Sequence, residues 1–271
     1  YHGEGYFHLG LGYLATKQDE KAYDAFFKST WSAETQSSGF YDLACLAAKK
    51  GEFAPALEFA EKSLIRNWHN MQTRTLKAAL LRLLGKDNRQ FLQDSLSIDP
   101  LFMGCLYEKA LSEGTLEQWK QQMRKDCHNY LTLALCYRLA GLYEDAINIL
   151  DACDSGSPLL DYYKGSISLA ANRPEDAVKY FQAGEAACPD YCFPNRIEEI
   201  EILSDAIHTL SVAPMACYYL GNLLYDKKQY EKATALWEKT TQQKPNFAMA
   251  WRNLSIAYYN KHQDGNKALA A

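Results

Sequence analysis

A small residue recurs along this chain at a fixed interval, and that period restricts the fold more than any other feature of the sequence. Gly10, Ala44 and Ala78 are 34 residues apart, and Ala134, Gly165, Gly221 and Ser255 continue the series at spacings of 56, 31, 56 and 34. The two longer intervals each exceed the period by 22 residues. Twelve positions after the first small residue comes a second, as at Ala22, Ala56, Ala146, Ala177 and Ala233. A large residue follows four later at Phe26, Leu150, Phe181 and Trp237, and Pro245 closes its unit. Small side chains in this pattern let two helices approach closely while large ones fill the space beside them. Proline ends the second helix because it lacks a donor and clashes with the preceding turn. One such hairpin cannot bury its apolar face alone, so neighbours must stack on it.

Composition agrees with helices. There are 35 Leu and 34 Ala but only 2 Val. β-Branched residues suit a pleated sheet, whereas Ala and Leu lead the helix scale, so a strand-rich domain is excluded. The expectation is an all-α, right-handed α-α superhelix over 1–271, with units at 3–36, 37–70, 71–104, 127–157, 158–191, 214–247 and 248–271 and irregular helical insertions at 105–126 and 192–213. The first insertion reads as two short helices, Leu106 to Leu111 and Leu116 to Met123, with Gly114 between them. The second reads as one helix. Pro194 lies near its first turn, Glu198, Glu199 and Glu201 complement the N-terminal dipole, and Ile197, Ile200, Leu203, Ile207 and Leu210 form its stripe. A single extra helix reverses the up-down alternation, so it must cross the array or lie against one face of it. In the unit 71–104, Gln90 and Asp94 stand where a small and a large apolar residue belong, which predicts a short or shifted second helix.

These residues resemble the tetratricopeptide repeat (TPR) over nearly the whole chain. The resemblance implies a solenoid whose first helices line a concave wall. The runs Asp190–Leu203, Tyr218–Asp226 and Trp251–Leu254, together with Tyr23–Trp31, are similar to the C-terminal TPR region of large bacterial proteins. Those proteins carry an N-terminal sugar-mutarotase-like β-sandwich domain of unknown function. The likeness implies a carbohydrate-linked neighbour. The last residues, 267–271, stop inside a helical pattern without a cap, so the chain is read as a fragment of a longer protein.

Chemistry is sparse. With 29 basic and 33 acidic residues, the chain lacks the basic face that phosphate neutralisation requires, which argues against nucleic acid as a partner. No stretch approaches 18 consecutive apolar residues, so no membrane partner is expected. The eight cysteines show no CxxC pair or zinc spacing, and scattered thiols fit a reducing cytoplasm. HExxH, GxxxxGK[ST] and GxSxG are absent, and the six histidines are dispersed. The reading is therefore of no catalytic residue, no metal and no cofactor, and not an enzyme.

What remains is the concave wall. The fifth, ninth and twelfth residues of each frame share one side of the first helix. In the C-terminal half they are rich in tyrosine, and the partner-binding candidates are Tyr162, Tyr218, Asn222, Tyr225, Arg252 and Tyr259. Tyr and Arg are enriched where partners are gripped. Asn222 and Asn253 occupy two positions of the carboxylate clamp of chaperone-binding TPR proteins, but Tyr218 replaces the expected Lys. The favoured function is a non-catalytic interaction scaffold that binds a partner protein, a peptide or the parent chain's own N-terminal β-sandwich domain. An accessory region of a carbohydrate-active enzyme whose catalytic domain lies elsewhere is the alternative, and a peptide-sensing TPR protein is a third reading.

Overall fold

The computed structural model describes residues 2–271. Among them there are seventeen α-helices, a single π-helical turn and no strand. The chain divides into two compact units, one ending at Asp154 and the other spanning Ser155–Ala271.

The first unit contains α1 (Glu4–Ala15), α2 (Asp19–Ser29), α3 (Gln36–Lys49), α4 (Phe53–Arg66), α5 (Met71–Leu83), α6 (Arg89–Ile98), α7 (Met103–Glu113), α8 (Leu116–Gln122), α9 (Cys127–Leu139) and α10 (Tyr143–Asp151). Consecutive helices pack as hairpins, and the hairpins stack: α1 on α2, α3 on α4, α9 on α10, with α2 against α3 and α4 against α5. The small positions are where these contacts close. Ala22, Ala44, Ala56, Ala78, Ala134 and Ala146 are wholly buried, and a Cβ added at Gly10 would lie 2.6 Å from the ring of Phe26. The 105–126 insertion forms α7 and α8, separated by Gly114 in the left-handed conformation at φ 70°, where a residue without Cβ is favoured.

The irregular hairpin α5–α6 shows how a broken frame is repaired. Gln90 and Asp94 face solvent and bond each other at 2.9 Å. Leu92 and Ser95 turn inward instead, so the buried stripe is shifted along the helix, which has only ten residues. Ser95 Oγ then accepts from Arg74 Nη1 at 2.9 Å, while Arg74 Nε donates to the Trp68 carbonyl at 2.9 Å and the guanidinium lies 4.1 Å from the Trp68 ring.

Two carboxylates are enclosed among the described residues of this unit. Glu108 on α7 is wholly buried. It accepts from Arg82 Nε at 2.8 Å, from Arg82 Nη2 at 3.1 Å and from the Tyr137 hydroxyl at 2.7 Å, and Arg82 Nη2 also reaches Asp145 at 3.0 Å. Burial opposes the Arg82 charge, but its two carboxylate partners hold its pKa above the usual arginine value. Asp42 on α3 is also buried, and burial alone pushes its carboxyl up to about 7.

The second unit contains α11 (Pro158–Ala170), α12 (Pro174–Ala186), α13 (Glu198–Thr209), α14 (Pro214–Asp226), α15 (Tyr230–Gln243), α16 (Ala248–Ala257), the π turn Tyr258–His262 and α17 (Gly265–Ala270). α11 pairs with α12 and α14 with α15. α13, the lone inserted helix, packs against both α11 and α14. Its first turn carries the expected acidic residues. Glu199 is wholly buried there, accepting from the backbone N–H groups of Asn195 and Arg196 at 2.6 and 2.8 Å and from the Tyr163 hydroxyl at 2.9 Å.

At Gly221 an added Cβ would lie 2.5 Å from Trp237 Nε1, and Ala146 has no exposed surface. Gly221→Leu and Ala146→Leu are each expected to overpack a helix pair and cost about 1–3 kcal/mol or more. Urea unfolding of both variants checks this, and midpoints equal to wild type would place the close contacts elsewhere.

Candidate functional site

All six residues picked out on the wall lie in the second unit, but the structure gives them three different roles. Tyr162 is wholly buried. Its ring packs on Phe181 and Tyr219, and its hydroxyl donates to Glu185 Oε1 at 2.9 Å. Burial, and then the adjacent Glu185 carboxylate, hold the phenol far above its ordinary pKa. Tyr162 is thus a core residue and offers no surface to a partner. The physical reason is that Phe181 and Glu185 of α12 and Tyr219 of α14 close over it, and α13 takes up the next turn. Ser166, one turn further along the same face of α11, donates to Asp205 of α13 at 2.6 Å, so the groove side of α11 is already occupied.

Glu185 explains more than the burial of Tyr162. Its two carboxylate oxygens accept from the backbone N–H groups of Met215 and Ala216, each at 2.8 Å. α14 starts with Pro214 after Ala213, a residue with no side-chain acceptor for the free N–H groups of the first turn. A carboxylate from α12 supplies what the local sequence lacks, and it suits the positive end of the helix.

Asn222 and Tyr218 are braces. Asn222 Oδ1 accepts from Trp237 Nε1 at 3.1 Å and from Asn253 Nδ2 at 3.0 Å. The two asparagines of the clamp pattern therefore bond to one another. Tyr218 is 9% exposed, with its ring 4.8 Å from Phe247 in an edge-on arrangement. Tyr225 is half-buried between Tyr230 and Trp237, at 5.0 and 5.2 Å.

Arg252 and Tyr259 face solvent. Tyr259 is 69% exposed, whereas two of its neighbours in the π turn bond to α15. The Tyr258 hydroxyl donates to Glu238 at 2.5 Å, and His262 Nε2 lies 3.0 Å from Thr234 Oγ1. Burial, reinforced by the Glu238 hydrogen bond, pushes the Tyr258 phenol up to about 12. Two further exposed residues, Met249 and Ile256, lie on α16 with Arg252. The spacings of Met249, Arg252, Ile256 and Tyr259 are three, four and three, which sets all four on one stripe. Met249 lies outside the frame positions used on the sequence and was missed, although its spacing from Arg252 is visible there.

No group of three or more His, Cys, Asp or Glu residues is arranged to hold a metal ion among the described residues. Among the same residues, no helix is long and apolar enough to cross a membrane.

No protein-family model matches the sequence. Among solved structures, the chain is similar to a tetratricopeptide repeat protein from Parabacteroides merdae, with 13% identity over 94% of this chain and 98% of that one and a TM-score of 0.39. It is similar to a thermophilic TPR protein of Thermus thermophilus, with 14% identity over 95% and 99% of the two chains and a TM-score of 0.27. It is also similar to yeast Tom70, with 13% identity over 99% of this chain and 68% of that one and a TM-score of 0.32. The stacked-hairpin architecture itself is carried by the packing of this chain's own helices.

Proposed function

We propose that the chain is a non-catalytic interaction scaffold that grips a protein or peptide along the exposed stripe of α16 and the π turn that follows it. The stripe itself carries the reading. Met249, Arg252, Ile256 and Tyr259 present a thioether, a guanidinium, an aliphatic chain and a phenol on one side of a helix, with Met249 45% and Ile256 40% exposed. Such a surface combines apolar area with directional donors and lacks any reacting group. Its backing is firm, because Asn253 is tied to Asn222 and the π turn to α15. The similarity of Asp190–Leu203 and Tyr218–Asp226 to bacterial chains with a β-sandwich neighbour supports such a domain of the parent chain as one source of the partner.

Peptides selected from a displayed library on this chain, then measured by calorimetry, test the reading. Arg252→Ala and Tyr259→Ala should each weaken binding by about 2 kcal/mol, as hot-spot anchors do, with thermal melts unchanged. A double variant that binds as well as wild type would remove the stripe from the function.

A further inference from the structure

Two exposed apolar surfaces of opposite charge lie away from the α16 stripe. The first is the connector between α12 and α13. Tyr191, Phe193 and Ile197 fall within a run of seven residues and are 93%, 68% and 73% exposed. The connector is held in place: the Cys192 N–H donates to the Pro189 carbonyl at 3.3 Å, Cys192 and Pro194 turn inward, and Glu199 accepts from the N–H groups of Asn195 and Arg196. Tyr191 sits in this turn at φ 59°, a conformation that glycine adopts freely and a large side chain adopts only at a cost. The strain sets an almost fully exposed ring into solvent. Asp190 and Glu198 border these side chains along the chain, and neither has an ion-pair partner among the described residues. Arg196, the one cation of 190–198, is engaged by Glu199 at 3.6 Å.

The second surface lies in the first unit, where α2 and α4 end. Tyr23 of α2 and Phe59 of α4 pack edge-on at 6.3 Å, so the outer faces of these helices are neighbours. Trp31 and Ile65 occupy equivalent places 34 residues apart and are 62% and 76% exposed. Lys28 and Lys62 precede them by three residues each, and Arg66 follows Ile65. None of these three cations has an ion-pair partner among the described residues; the two lysines lie over the rings of Tyr6 and Phe59. Asp24 and Glu58 are a turn back from the lysines, away from Trp31 and Ile65, and Glu61 is bound to Lys77 at 2.8 Å. With Glu34 the remaining acid, the ends of α2 and α4 form an apolar edge with an excess of positive charge.

We propose that copies of this chain associate through these two surfaces, the Tyr191–Ile197 connector of one copy seating on the Trp31–Ile65 edge of the next. The apolar side chains supply contact area. Asp190 and Glu198 then face Lys28, Lys62 and Arg66, so charge decides which surface meets which and keeps like surfaces apart. Such a contact is heterologous. Each copy joined through its connector still presents its edge, so association continues until a ring closes. The contact uses no residue of α16 or the π turn, and it stands or falls apart from the peptide-binding reading.

Sedimentation velocity of the 271-residue chain from about 2 to 200 µM, a range that brackets micromolar contacts, tests this. Wild type should associate as concentration rises, and roughly ten-fold more weakly in about 0.5 M salt, where exposed charges are screened. Two charge-reversed variants, Lys62→Glu with Arg66→Glu and Asp190→Lys with Glu198→Lys, should each sediment as monomers, because like charges then meet. An equimolar mixture of the two should associate again, since the reversed surface of each matches that of the other. Tyr191→Ser with Phe193→Ser, at exposed positions, should also be monomeric and decides the matter if a reversed variant folds poorly. A wild type that stays monomeric throughout, a mixture of folded reversed variants that does not associate, or a serine variant that associates as wild type does would overturn the assignment.

Discussion

Replacing Arg82 by Met is expected to lower the unfolding free energy by about 3–5 kcal/mol, the range found when one partner of a buried ion pair is removed. The asymmetry of burial decides the size. The Arg82 side chain is 28% exposed and could be rehydrated, but Glu108 has no exposed surface. Without the guanidinium, Glu108 keeps one donor, the Tyr137 hydroxyl, and must either remain charged in an apolar setting or take up a proton. A double variant, Arg82→Met with Glu108→Leu, should recover most of the loss, because an apolar pair of similar volume no longer needs the desolvated charges. Urea denaturation of the two single variants and the double variant measures this. A double variant no more stable than Arg82→Met alone would mean that α5 and α7 are held by shape at this point and not by charge.

The second large effect is a dependence on pH centred on Asp42. Its carboxyl titrates at about 7 in the folded protein and at an ordinary carboxylate value, near 3.8, when unfolded. Between those values the folded state holds the proton that the unfolded state has lost. The folded state therefore binds more protons than the unfolded one, and the contribution of Asp42 to stability falls as pH rises through that window. At about 1.4 kcal/mol per unit, the loss between pH 4 and 7 is on the order of 4 kcal/mol. Asp42→Asn keeps the size and polarity without the charge. The variant should match wild type near pH 4 and exceed it by a few kcal/mol at pH 8, with the difference between them growing across the interval. Denaturant midpoints of both proteins at pH 4, 5, 6, 7 and 8 check it. A difference that does not change with pH would show that Asp42 is ionised in the fold.

Helix content and the close-packed small positions were legible because they depend on spacing within one hairpin. Gly10 against Phe26 and Gly221 against Trp237 are contacts between residues 16 apart. The candidate wall was only partly legible, for a reason of range. Arg252 and Tyr259 are exposed as their helix phase predicts, whereas the phase of Tyr162 is equally good and the residue is buried by partners on α12 and α14. Nothing local announces Glu185 as the carboxylate that completes the first turn of α14, 30 positions further on. The one hint is negative: Ala213 before Pro214 leaves donors that some distant acceptor must meet. Likewise, the sequence placed an extra helix at 192–213 but could not orient it, since Ser166 and Asp205 are 39 residues apart.

The lone helix α13 also changes how this unit can come apart. In a plain helical-repeat array each hairpin touches only its neighbours, so stability propagates like a one-dimensional chain and ends can fray one repeat at a time. Here α13 is pinned to α11 through Tyr163–Glu199 and Ser166–Asp205 and packs on α14 as well, while Glu185 ties α12 directly to α14. Peeling the α14–α15 hairpin away would expose the wedge and strip the first turn of α14 of its acceptor in the same event. The four helices from α11 to α14 are therefore coupled into a single cooperative block within this unit.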